Sequence, residues 1–188
     1  MSFSRSKTAV RGMKDRRTRL RRVAVLASLT ALAFGLGYLE YLIPFDAVGI
    51  PGIKIGLANL AVLGALYWLG WPDAAAVDLV RILLMWCLFG NITSLLYSLS
   101  GGLLSLTVMI VLKRLKVFDE LGVSVSGAVM HNTGQMIAAA VLTGTSMIWW
   151  YYPVLLASAA VAGTVVGLVF RLINRRLGNR LQLQFQEQ

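Results

Sequence analysis

Six stretches of mainly apolar residues follow one another along the chain, separated by short polar or turn-forming segments. A helix that crosses the hydrocarbon core of a bilayer needs roughly 17–25 such residues, and the third stretch is short by this measure. Because the connections are brief, neighbours in sequence are expected to pack as antiparallel neighbours. The pattern predicts an all-α membrane protein, a bundle of about six transmembrane helices. The six predicted spans are residues 23–41, 53–69, 74–89, 95–112, 123–142 and 149–173.

Composition supports a membrane location. Of the 188 residues, 57% are hydrophobic and 14% are charged, and the mean hydropathy is +0.72. A soluble domain has about 25% charged residues, so this chain has too little polar surface to face water on all sides. We expect one transmembrane domain over residues 23–173, preceded by a basic cytoplasmic segment, residues 1–22, and followed by a cytoplasmic tail, residues 174–188.

The positive charges are clustered, and the clusters predict which side each end faces. Of the 18 Lys and Arg residues, 9 lie in the first 22 residues, 3 lie at positions 113–116 and 4 lie at positions 171–180. Loops with an excess of Lys and Arg stay on the cytoplasmic side. With an even number of spans, both termini and all three clusters are cytoplasmic. The net charge of +10 therefore reflects membrane topology and attraction to anionic lipid, and we expect no nucleic-acid partner.

Two connections on the opposite, outer side look irregular. Residues 40–56 contain two prolines and several glycines, and residues 89–100 mix Gly, Asn, Thr and Ser with apolar positions. Irregular backbone at membrane depth is tolerated where it lines a cavity. Both segments therefore favour an outward-facing pocket, to which Asn91, Tyr97 and Ser98 would contribute; ordinary turns are the alternative.

The fifth span contains three polar side chains, His131, Asn132 and Gln135. His131 and Gln135 are four residues apart and share one helix face. Polar side chains in a span usually face the bundle interior or a cavity. They would bind a polar group of a ligand or form hydrogen bonds between helices. With a single His and a single Cys in the chain, we expect no metal site and no resident cofactor.

Three charged residues lie in or beside spans. Asp78 and Arg81 are three residues apart in the third span, which predicts a structural ion pair, with ligand binding as the alternative. Lys54, together with Asn59, begins the second span at the outer face. Lys54 would attract an anionic group of a ligand, or else extend to the interface as membrane lysines often do.

The first span has small residues at a spacing of four, Ala27, Ala31 and Gly35. Small residues at this spacing let two helices approach closely. The partner helix would lie within this chain, which is the default expectation, or in another protein.

Motifs of common enzymes do not occur in the sequence. It has no phosphate-binding loop, no GxSxG, no HExxH and no paired cysteines, nor an aspartate-rich pair to hold magnesium and a diphosphate. We therefore expect a protein without catalytic residues of its own.

Four strings in order resemble a known family. They are PGIKIGLAN from Pro51, YSLSGGLLS from Tyr97, GVSVSGA from Gly122 and HNTGQ from His131. Their order and spacing are similar to the Gx transporter family, also labelled heptaprenyl diphosphate synthase component I. The resemblance covers about residues 23–173.

The resemblance implies two different functions. The transporter name implies a substrate-binding S component of an energy-coupling-factor transporter, a six-helix protein that binds a small molecule from outside. Such proteins associate with a transmembrane coupling protein and two cytoplasmic ATPases, and small residues of the first helix, here Ala27, Ala31 and Gly35, would contact the coupling protein. The other name implies a non-catalytic membrane subunit that associates with a soluble prenyl diphosphate synthase.

Overall fold

The structure is a computed structural model that describes residues 2–42, 56–145 and 147–185. Over these residues the chain is all-helical, with six α-helices and one 3-10 turn, which confirms the predicted fold class. The helices are α1 (Ser2–Leu42), α2 (Leu57–Trp68), α3 (Trp71–Phe89), α4 (Ile92–Leu115), α5 (Glu120–Thr143) and α6 (Tyr152–Phe185), with the 3-10 turn Met147–Tyr151 before α6.

The first and last helices extend beyond the predicted spans. α1 runs without a break through the basic N-terminal segment, and α6 continues through the region predicted as a tail. The boundaries predicted at residues 22 and 173 therefore do not coincide with the ends of helices. Charged residues are good helix formers, so a change from apolar to basic composition marks a change of environment more reliably than a change of secondary structure.

The prediction of irregular backbone over residues 89–100 is wrong for most of this segment. Only Gly90 and Asn91 lie outside a helix. Helix α4 already begins at Ile92. The Asn91 side chain accepts a hydrogen bond from the Ser94 backbone N–H, and the Ser94 hydroxyl accepts one from the Asn91 N–H, which completes a capping box. These two bonds satisfy donors that the first turn of a helix leaves open, so the polar residues here start a helix instead of interrupting one.

Helices α1, α2 and α3 pack together, as do α4, α5 and α6, and the two groups join where α2 meets α6 and α3 meets α4. Helix α2 occupies the centre, because eight of its 12 residues are buried and they lie on all sides of it. Phe170 of α6 is fully buried against the Tyr67 and Trp68 rings. A helix that is apolar all round is expected to be buried in this way.

Polar links join the helices at the end of the bundle where the basic clusters lie. Arg22 of α1 forms an ion pair with Asp73 of α3 at 2.6 Å, and Lys113 of α4 donates to the Leu66 carbonyl of α2 at 2.5 Å. The Trp68 indole N–H donates to Asn174 Oδ1 at 2.7 Å. Asn174 belongs to the region predicted as a tail, so at least the first residue of that region is part of the bundle.

Three helices in the described part are long and apolar enough to cross a membrane on composition alone: Thr18–Leu42, Ile92–Leu115 and Met147–Gly178. Helix α2 is apolar but shorter. Helix α3 has the length of a span but carries two acids and an arginine, and α5 carries His, Asn and Gln. The protein is a helical membrane protein in which α3 and α5 carry charged or polar side chains part-way along their length.

Candidate functional site

A cavity lies between the helices in the half of the bundle away from the basic clusters. Its volume is about 140 Å³, and every one of the six α-helices or its cap contributes to the wall. On α3 the wall residue Arg81 lies roughly 15 Å from Trp71, at the rise of an α-helix, so the cavity reaches about the middle of α3. The wall consists of Gly37, Glu40, Tyr41, Gly56, Ala58, Asn59, Arg81, Ile82, Met85, Ser98, Ala128, His131, Asn132, Gln135, Ala159 and Ala162.

Five of the eight residues predicted to bind a substrate meet in this cavity: Asn59, Ser98, His131, Asn132 and Gln135. They come from α2, α4 and α5, so the structure brings together side chains that are up to 76 positions apart along the chain.

The other three residues of that predicted set are placed differently. Asn91 caps α4, and neither it nor Tyr97 is among the described wall residues of the cavity. Lys54 lies outside the described residues, so its role stays a prediction. For Asn91, the asparagine three residues before a serine was the sequence signal for a cap.

Polar residues of α5 contact both one another and the neighbouring helix. Asn132 is buried and its Nδ2 donates to the Leu155 carbonyl of α6 at 3.0 Å. Gln135 Nε2 lies 3.2 Å from His131 Nε2. Asn132 therefore joins two helices, whereas the His131–Gln135 contact lies within one helix and along the wall.

The charged wall residues are Arg81 and Glu40. Arg81 forms an ion pair with Asp78 of its own helix, and the side chains of Arg81 and Asp78 are only 13% and 8% exposed. Arg81 thus forms the predicted ion pair and also lies in the cavity wall; its role in ligand binding stays a prediction. Glu40 is buried and accepts the Gly56 N–H at 2.6 Å, which ties the end of α1 to the start of α2.

Sequence patterns alone did not predict Glu40, Tyr41 and Met85 as wall residues. Their positions depend on how α1 packs against α2 and α3, contacts between separate helices that no local pattern specifies. For Glu40, the only signal was an acid near the outer end of an apolar span.

Close helix packing surrounds the cavity. A side chain added at Gly134 would put its Cβ 2.5 Å from the Ser100 carbonyl oxygen, and one added at Gly102 would put its Cβ 2.6 Å from Asp78 Oδ2. Helices α3, α4 and α5 therefore meet at glycines, and Asp78 packs directly against the backbone of α4. Within the described residues, no group of three His, Cys, Asp or Glu side chains is arranged to hold a metal ion.

The small residues of α1 face away from the bundle. Ala27 and Ala31 are exposed, and a Cβ built on Gly35 would meet nothing within 4 Å. The default expectation that they pack within this chain is therefore wrong, because the buried face of α1 is the opposite one, with Leu29, Ala33 and Glu40. The stripe is therefore an exposed surface of this chain.

The fold is similar to that of a solved component of a membrane transporter. The chain matches the solved S component of a bacterial ECF transporter with a TM-score of 0.60, and the match covers 87% of this chain and 99% of that chain. The sequences are 21% identical, so the likeness concerns the fold. Residues 29–173 match the family model described as heptaprenyl diphosphate synthase component I, and this chain belongs to that family. The resemblance predicted from the four strings is confirmed. Comparison with curated proteins finds no significant match.

Proposed function

We propose that this chain is the substrate-binding membrane subunit of an uptake transporter of the energy-coupling-factor type. Its substrate is a small molecule that binds in the cavity between the helices. The observation that carries the proposal is the convergence of six helices on one cavity of about 140 Å³ with polar side chains in an otherwise apolar wall. Such a wall is typical of sites for small ligands, and it occurs here in an S-component fold.

We propose that the cavity lies in the outer half of the molecule. The basic ends of α1, α4 and α6 lie at the opposite end of the bundle, and positively charged ends remain in the cytoplasm. Substrate would then reach the cavity from outside, between the end of α1 and the start of α2, where Glu40 and Gly56 are linked.

Ligand capture tests this proposal. The protein is purified in its native lipid, and bound small molecules are identified by mass spectrometry. We expect a small molecule to co-purify with the wild type, and to be reduced at least tenfold in a His131→Ala, Gln135→Ala double variant. If nothing co-purifies and this variant supports uptake at the wild-type rate, the cavity is not a substrate site.

The outward-facing stripe of α1 is the proposed contact for a transmembrane coupling protein, which in turn would bind cytoplasmic ATPases. Ala27 and Ala31 are exposed on the same face as Gly35, where an added Cβ would meet nothing within 4 Å, so a second helix could pack closely there.

A matched pair of variants tests the partner. Ala31→Trp would remove the close approach and abolish co-purification of an ATPase-containing complex, with folding intact because the position is exposed. Ala157, an exposed alanine of α6, is the control: Ala157→Trp should retain the complex. Equal recovery of ATPases with both variants would place the partner elsewhere.

A second candidate function is a non-catalytic membrane subunit of a prenyl diphosphate synthase, favoured by the description of the family. It predicts that affinity purification recovers a soluble prenyl synthase and no ATPase. The two candidates are therefore separated by one purification in which both kinds of partner are sought.

A further inference from the structure

The charges at the cavity bear on which substrates would fit. Besides His131 and Tyr41, three ionisable side chains lie at or directly behind its wall: Arg81, its partner Asp78, and Glu40. Because Asp78 already balances Arg81, the Glu40 carboxylate is left without a cation among the described residues. With His131 counted as neutral, the formal sum of Arg81, Asp78 and Glu40 is one positive minus two negative charges, so the described wall carries no net positive charge.

Arg81 nevertheless offers donors to a ligand. Its Nε is buried and has no hydrogen-bond partner among the described residues, while its terminal nitrogen is engaged by Asp78. A buried donor without a partner is costly, and a guanidinium carries five N–H groups. An acceptor oxygen of a ligand would satisfy the open donor without having to neutralise the guanidinium.

Glu40 offers the opposite chemistry. One of its oxygens accepts the Gly56 N–H, and an ionised carboxylate has two oxygens with about four acceptor positions. A ligand N–H would therefore complete this side of the wall. Asn59 and Ser98, which also line the wall, add further donors and acceptors.

The size of the cavity sets a second limit. A cavity of about 150 Å³ accommodates a molecule of the size of benzene, and this one measures about 140 Å³. Ile82, Met85 and Ala128 supply an apolar wall for one ring or a short carbon skeleton.

We infer that the substrate of this cavity is a small, uncharged or zwitterionic molecule that presents an acceptor oxygen to Arg81 and an N–H donor to Glu40. The inference rests on the proposed function. Phosphates and diphosphates are disfavoured because Glu40 repels them and Arg81 is already paired. Including the positive charge of Lys54, which lies outside the described residues, would bring the sum only to zero.

The experiment uses the full chain in lipid nanodiscs and two fractions of a cell extract that differ in charge. A polar small-molecule extract of bacterial cells is passed over an anion exchanger, which yields a retained anionic fraction and a flow-through of uncharged, zwitterionic and cationic compounds. Each fraction is tested for its effect on the melting temperature, and bound compounds are identified by mass spectrometry. A ligand at about 100 times its Kd is expected to raise the melting temperature of a chain of this size by about 5 °C or more.

We expect the flow-through to give this shift and the anionic fraction to give none. Glu40→Gln should lose most of the shift, whereas Glu120→Gln, a carboxylate at the other end of the bundle, should retain it. If Glu40→Gln lowers the melting temperature before any addition, Ser98→Ala serves instead, and should reduce the shift.

Three outcomes would count against the inference or its basis. A shift from the anionic fraction alone, or a bound compound that mass spectrometry identifies as a cation, would overturn the substrate class but leave the proposed function standing. A shift from the flow-through that both Glu40→Gln and Ser98→Ala retain would overturn the assignment to this cavity. No shift from either fraction would overturn the proposed function itself.

Discussion

At the scale of single residues, neighbouring polar side chains of α5 serve different purposes. Asn132 is buried and bonds to the backbone of α6, whereas His131 and Gln135 lie along the cavity wall and contact each other. The difference follows from helix geometry, because adjacent residues point about 100° apart. Polar residues in a span can therefore line the cavity, as His131 and Gln135 do, or join two helices as well, as Asn132 does.

Asn132→Leu is expected to destabilise the bundle. It removes the hydrogen bond to Leu155 and leaves the carbonyl without that donor; such bonds between membrane helices contribute about 0.6 kcal/mol on average and up to about 2 kcal/mol. Thermal unfolding in a mild detergent measures the effect. Gln135→Leu is the control, since its contact lies within α5, and it should lower stability less. Equal losses would mean that the bond between helices does not contribute.

Asp119 caps α5 and is expected to make stability depend on pH. Its carboxylate accepts the Gly122 N–H at 2.9 Å and pairs with Arg171. The hydrogen bond from Gly122, and then the charge of Arg171, lower the pKa of the Asp119 carboxyl. A lowered pKa in the folded state contributes stability that is complete above the unfolded-state pKa, about 3.9, and is lost as pH falls through the folded-state pKa.

The measurement compares Asp119→Asn and Asp119→Ala with the wild type. Asn keeps the cap and loses the charge, so its melting temperature should lie slightly below that of the wild type at pH 7 and converge with it below about pH 4. Ala loses the cap as well, at about 1 kcal/mol. A gap between wild type and Asn that stays constant down to pH 3 would contradict this account.

Some residues of the site could be predicted from the sequence and others could not. His131 and Gln135 were predictable because a spacing of four residues within one helix fixes their relative direction. Glu40 and Arg81 share a cavity only because α1 and α3 pack side by side, and no local pattern encodes that. Asn91 was predicted to bind a substrate, and in the structure its side chain caps α4. A polar residue at a helix start suits a cap as well as a binding site.

At the scale of helices, glycines determine how closely α4 and α5 approach. Gly134→Ala would place a methyl group 2.5 Å from the Ser100 carbonyl oxygen, a backbone atom that cannot rotate away. Overpacking of this kind typically costs about 1–3 kcal/mol. We expect a lower melting temperature and a weaker ligand-induced shift, because Ser98 and His131 lie on the two helices that would be pushed apart.

Gly35→Ala is the matched control for Gly134→Ala. It also replaces a helical glycine, but its added Cβ meets nothing within 4 Å. Since alanine favours a helix over glycine by about 1 kcal/mol, the melting temperature should stay the same or rise. If both variants were equally unstable, loss of the close approach would not be the cause.

At the scale of the whole molecule, apolar runs and basic clusters were sufficient to predict six helices in the right order. Within the described residues, each of the six helices overlaps one of the six predicted spans. The central place of α2 was not predicted, although its uniformly apolar sequence contained a signal for burial on all sides. The arrangement of helices around it depends on contacts between distant segments, such as Trp68 with Asn174, which no sequence period specifies.

Both termini are predicted to be cytoplasmic, and labelling of single cysteines can measure this. In a Cys87→Ala background, a membrane-impermeant maleimide added to intact cells should label Thr145→Cys, in the connection before α6, and should not label Ser4→Cys. Permeabilised cells should label both. Labelling of Ser4→Cys in intact cells would reverse the topology, and with it the side from which substrate reaches the cavity.

The unbroken length of α1 has a geometric consequence for any protein that binds beside it. With 41 residues it is roughly 60 Å long, about twice the thickness of the hydrocarbon core. Because its last turn contributes Glu40 and Tyr41 to the cavity wall and residues Thr18–Leu42 are long enough for one span, the excess length lies at its basic N-terminal end. If the bundle tilts, the N-terminal end of α1 would move by several ångströms. Fluorescent or spin labels at that end could measure the movement.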